Sequence, residues 1–213
     1  MFNESHVQIN FINHPMKYLA SIIFLLASIF IPSVSVAQVT QICDTQPVPF
    51  GKVVIKRYTS QACPGVNGTF QNATLDIQNP VSPMSICSES PFPAGFIISA
   101  QLTTTSCFNL ATMQNTRATF TIRNPVTPDS ICTNSPIPSG YVITQTLNSS
   151  SCFSTSDSTQ FSSYSIKIPG AQENICSFSP LPTGYTITQL INIPNCVGTG
   201  GGPNGQGYAI KRN

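Results

Sequence analysis

One motif returns four times in register, and no other property of the chain restricts its fold as strongly. Ile-Cys pairs stand at Ile42-Cys43, Ile86-Cys87, Ile131-Cys132 and Ile175-Cys176, so successive copies are offset by 44, 45 and 44 residues. Two prolines and a glycine follow each pair at fixed distance: Pro47, Pro49 and Gly51; Pro91, Pro93 and Gly95; Pro136, Pro138 and Gly140; Pro180, Pro182 and Gly184. A second cysteine follows the first by 20 residues in every copy, at Cys63, Cys107, Cys152 and Cys196. The chain therefore divides into repeat 1 (residues 38–85), repeat 2 (86–130), repeat 3 (131–174) and repeat 4 (175–213).

Inside each repeat the apolar residues keep the two-residue period of a strand. Tyr141 to Leu147 places residues 141, 143 and 147 on one face, and Tyr185 to Ile191 does the same with 185, 187 and 191. A second short run, Leu75–Gln78, Phe120–Arg123, Tyr164–Lys167 or Tyr208–Lys211, turns an apolar pair inward and its last polar residue outward. Ser, Thr, Asn, Gly and Pro fill the intervals, and no stretch of the repeats carries a helical period behind an N-cap. The expectation is an all-β protein of four tandem, disulfide-stapled repeats of about 44 residues, stacked or bead-like. A unit of that size with two short strands is marginal alone, which favours neighbours that share a core.

Ahead of the repeats lies a different pattern. Lys17 precedes an apolar run from Leu19 to Ile31, and Ser35-Val36-Ala37 supplies small residues at a cleavage position. This is the layout of a signal peptide over residues 1–37, and thirteen apolar residues fall short of the roughly 20 that span a bilayer. Met16 is a second candidate start. The exported product is expected in a secreted, extracellular or periplasmic setting, with no stable membrane span once the leader is removed.

Eight cysteines in an exported chain predict a disulfide framework, for which 105 pairings exist. The constant separation within each copy favours Cys43–Cys63, Cys87–Cys107, Cys132–Cys152 and Cys176–Cys196, with the glycine reversing the chain. The rival scheme joins each second cysteine to the next copy's first and closes a ring through Cys43 and Cys196.

Composition then narrows the function classes. Charged residues make up only 8% of the chain, with 9 basic against 7 acidic side chains, so no basic stripe exists to neutralise phosphates of a nucleic acid. Both histidines, His6 and His14, leave with the leader, which removes the usual base for a nucleophilic serine and the usual zinc ligand. Asp129 and Glu173 share one repeat position, where the first two copies carry Thr40 and Met84, and read as solvated linker residues rather than a glycosidase pair. Lys167 and Lys211 likewise read as a solvated strand face. The glycine-rich run from Gly198 to Gly207 lacks the Lys-Ser/Thr ending of a phosphate loop. Asn67, Asn72 and Asn148 fit the glycosylation pattern.

Phe96, Tyr141 and Tyr185 follow the glycine in three copies, with Lys52 in that slot of the first. In phase with Ile98, Ile143 and Ile187 they open a buried strand face; exposed, they would form a platform for stacking on sugars. The expected function is an exported, non-enzymatic structural or adhesive repeat protein without metal or cofactor, its partner a glycan or a cell-surface protein. The alternatives are a carbohydrate-binding array that gains avidity from linked weak sites and, behind it, a secreted protease inhibitor with proline-braced loops.

Overall fold

The computed structural model describes residues 38–64, 73–108, 118–153, 162–198 and 205–213. The leader, Asn67, Asn72 and residues 199–204 of the glycine-rich run lie outside them.

Each module is a three-stranded antiparallel sheet, every described element is a strand, and the structural boundaries fall two or three residues before the repeat boundaries, because Met84, Asp129 and Gln172 open the first strands of modules 2, 3 and 4. Module 1 holds β1 (Thr40–Cys43), β2 (Val53–Tyr58) and β3 (Thr74–Gln78); module 2 holds β4 (Met84–Cys87), β5 (Ile97–Leu102) and β6 (Thr119–Arg123). Module 3 holds β7 (Asp129–Cys132), β8 (Val142–Leu147) and β9 (Ser163–Lys167); module 4 holds β10 (Gln172–Cys176), β11 (Tyr185–Asn192) and β12 (Gln206–Arg212). The order within every sheet is first, third, second, so the last strand of each module lies in the middle. The opening segment is thus a strand in its own right, paired for example through Cys43 opposite Thr74, where the sequence had announced only two strands per repeat. At four residues, three of them polar or cysteine, it is too short to display a period.

Two tight turns carry the chain from the first strand to the second. Backbone bonds close Cys43 to Gln46 and Pro49 to Lys52, and the same pair of turns recurs in modules 2, 3 and 4. Gly51, Gly95, Gly140 and Gly184 sit at φ of +78° to +84°, the conformation that the third residue of a type II turn demands and that a side chain disfavours. That reversal brings the cysteines together: all four disulfides link the 20-residue partners, with Cα atoms 5.2–5.3 Å apart.

Modules 1 to 3 each carry a β-bulge in the second strand, at Ile55, Ser99 and Thr144, and module 4 repeats it at Thr188. The bulge corrects the simple alternation expected for Tyr141–Leu147. With Thr144 as the extra residue of this strand, Ile143 and Thr146 stand opposite Ile166 and Tyr164, so buried Thr146 continues the face of Ile143 in place of Leu147, while Val142 packs against Ile175 and Ile210 of the next module. Backbone N–H groups on its outer edge then cross the junction. Val54, Ile98 and Ile143 donate to the hydroxyls of Ser90, Ser135 and Ser179, each at 2.8 Å. Arg57, Gln101 and Thr146 donate to the carbonyls of Ser106, Ser151 and Asn195, again at 2.8 Å.

The core follows these junctions. Val53 of module 1 packs with Ile86, Ile98 and Ile122 of module 2, and the Cys132–Cys152 disulfide of module 3 closes the same cluster. One step along, Ile97 joins Ile131, Ile143 and Ile166, closed by Cys176–Cys196. A fully buried isoleucine contributes about 2 kcal/mol through area removed from water, so much of each module's stabilisation is owned jointly with its neighbours. The modules are stacked, not beads.

Two linkers are clamped by ion pairs. The Arg123 guanidinium holds Asp129 in a two-pronged contact, and Lys167 Nζ lies 2.6 Å from Glu173 Oε2. This corrects the solvated reading of Asp129 and Glu173, while Lys167 keeps a solvated side chain and gains a partner. Asp129 is only 9% exposed, and Lys167 meets Glu173 across the return from one module to the next. Lys211, at the matching place in module 4, is exposed.

Candidate functional site

The three aromatic residues proposed as a platform do not share one environment. Tyr141 is 9% exposed inside the core cluster of module 3, so its ring faces are covered by Ile97, Ile143 and their neighbours. Phe96 is half-buried against Ile86 and Ile98. Tyr185 is half-buried against Val142 and Ile210, its hydroxyl donating to the carbonyls of Pro169 and Gly170. Arg212 donates to that same hydroxyl and lies 5.4 Å from the ring centroid. All three directly follow the positive-φ glycine: Phe96 and Tyr141 immediately precede β5 and β8, and Tyr185 begins β11.

Lys52 takes their place in module 1, and the adjoining turn departs as well. Phe50 occupies the tip position held by Ala94, Ser139 and Thr183 in the other modules, and it is fully exposed. Beside it the first two proline turns enclose a cleft of about 580 Å³, lined by Val48, Pro49, Phe50 and Lys52 from module 1, Pro80 from the linker, and Pro91, Phe92 and Pro93 from module 2. The prolines hold the walls without any need to order flexible side chains, since the ring fixes φ. Lys52 supplies the one cationic group at the rim. The cleft offers an apolar, rigid surface that ends in an aromatic ring and an ammonium.

The signal for Phe50 was present in the sequence as a mismatch. A turn tip that is small or polar in three copies and aromatic in the fourth departs from the pattern where solvent exposure makes the departure costly. Attention to repeated residues passes over it.

Apolar exposure continues along the linkers and turns, at Val81, Val126, Ile168 and Leu181. No three His, Cys, Asp or Glu side chains gather as a metal site among the described residues. Every cysteine is bonded, so no thiol is available for chemistry. Four intrachain disulfides are typical of extracellular or secreted proteins. No family model, curated protein or solved structure matches the chain.

Proposed function

We propose that the chain is an exported, non-enzymatic adhesive or structural repeat protein, secreted behind the leader of residues 1–37. In this reading the stack serves to present the proline-braced cleft of the first junction. The observation that carries the reading is Phe50: a fully exposed aromatic at the tip of a rigid turn, beside an apolar cleft, serves contact with another surface better than it serves the fold. The disulfides supply persistence outside the cell, and the shared core keeps the first two turns at a fixed distance.

Adsorption of the oxidised protein to an alkyl-terminated sensor, followed by mass uptake, tests this directly. The expected result is uptake that falls several-fold for Phe50→Ser while a glycan array stays silent for oxidised and reduced protein alike. Fold-dependent binding to a defined sugar would overturn the reading in favour of a lectin-like array.

A further inference from the structure

The three internal junctions use one set of parts, and both ends of the stack present those parts uncovered. On the donor side a junction needs the outward N–H groups at Val54 and Arg57, Ile98 and Gln101, or Ile143 and Thr146. The corresponding residues of β11 are Ile187 and Leu190, which are 49% and 60% exposed with no module over them. Leu190 replaces Arg57, Gln101 and Thr146, so an apolar side chain stands exposed where the internal junctions carry a polar one. On the acceptor side a junction needs the opening Ile-Cys segment and the carbonyl before the second cysteine. Ile86, Ile131 and Ile175 are fully buried there, whereas Ile42 and Cys43 are only half-buried.

The linker ion pairs add a third correspondence. Arg123 and Lys167 each find an acid six residues on, at Asp129 and Glu173, three places before the next opening cysteine. Lys211 is the matching base of module 4, and the matching place three before Cys43 is Thr40, also exposed.

We propose that β11 is the docking site for module 1 of a second copy of this chain, seated in the register of the internal junctions. The contact joins unlike surfaces and does not close on itself, so it adds copies head to tail. Leu190 N–H then donates to the Ala62 carbonyl, Ile187 and Leu190 cover the Cys43–Cys63 disulfide, and Lys211 stands beside Thr40. Two exchanges make this junction weaker than the internal ones. Thr186 replaces the Val53, Ile97 or Val142 that enters the next core, and Gln46 replaces the accepting serine, its Oε1 instead 3.3 Å from Cys43 N. The association is reversible for that reason. It follows from the junctions alone and is independent of what Phe50 touches.

Sedimentation velocity on oxidised residues 37–213, a compact unit by itself, tests the proposal over a range of concentrations. The sedimentation coefficient is expected to rise with concentration, and Leu190→Lys to raise the midpoint concentration by about tenfold or more, equivalent to about 1.4 kcal/mol. Thr40→Glu, on an exposed side chain, is expected to lower the midpoint by giving Lys211 its acid, and Thr40→Lys to raise it. Lys211→Glu combined with Thr40→Lys rebuilds the pair with its charges exchanged and is expected to bring the midpoint below that of the unchanged protein, as Thr40→Glu does. A monomer at the highest soluble concentration overturns the proposal. Association that ignores every change at Thr40 also overturns it, because β11 would then pair with another β11 or with an unrelated strand.

Discussion

Burial alone would push the Asp129 carboxyl up, but the Arg123 guanidinium and the backbone N–H groups of Val126 and Ser130 outweigh it and hold the group below its ordinary value of 3.8. A carboxylate with a lowered pKa in the fold stabilises it at pH values above the unfolded pKa, and that contribution is lost as pH falls through the folded pKa. Asp129→Asn removes the charge while Arg123 stays partly buried, so a loss of about 3 kcal/mol is expected at neutral pH. At a pH below the folded pKa the wild-type acid is itself neutral, and the two proteins should unfold at nearly the same urea midpoint. A gap that persists unchanged in acid would show that the side chain acts by shape and hydrogen bonding rather than by charge. Glu173→Gln should cost below about 1 kcal/mol at neutral pH, since its Lys167 partner is substantially exposed and solvent screens the pair. The sequence contained both pairs at equal spacing. It did not disclose which would be buried, because that depends on how tightly the linker folds back.

At the scale of the element, the four staples are alike in sequence and unlike in setting. Each closes a loop of the same length, so the chain-entropy contribution is the same, about 3 kcal/mol. Cys132–Cys152, however, is packed under Val53, Ile86 and Ile98, whereas Cys43 at the open end is half-buried. Replacing Cys132 and Cys152 by alanine should therefore cost about 1–2 kcal/mol more than the same change at Cys43 and Cys63, through the void left in the core. Denaturant unfolding of the two double variants measures the difference, and equal losses would confine the role of the sulfur atoms to cross-linking. The pairing itself was legible because its spacing is constant while the spacing between copies varies. The second and third strands were legible from their apolar period, Ile143 and Ile166 being clear examples. The opening strand was not, since Asp129 to Cys132 holds too few residues to show one, and neither was the bulge at Thr144, where backbone geometry changes without a glycine to mark it.

For the whole molecule, the decisive property is that no internal module owns its core. Module 3 lends Cys132 and Cys152 to the cluster of module 2, receives Ile97 from module 2 and Cys176 and Cys196 from module 4, and sends Val142 onward to Ile175. Cut out as residues 129–171, with β7 whole, it would expose Ile131, Ile143 and Ile166 wherever those partners had stood, and the N–H groups of Ile143 and Thr146 would return to water. Losing cover over even two or three such side chains removes about 4–6 kcal/mol, comparable with the entire stability of a small domain. The excised module, with its disulfide intact, should therefore be largely unfolded under conditions where the four-module chain is folded, as read by circular dichroism and amide exchange. The four-module chain should in turn lose its exchange protection together at the internal junctions and earliest at β11, whose outer face lacks a covering module. Equal melting temperatures for module 3 and the full stack would mean that the clusters spanning the junctions contribute nothing to stability, and the argument for a docking end at β11 would fall with them.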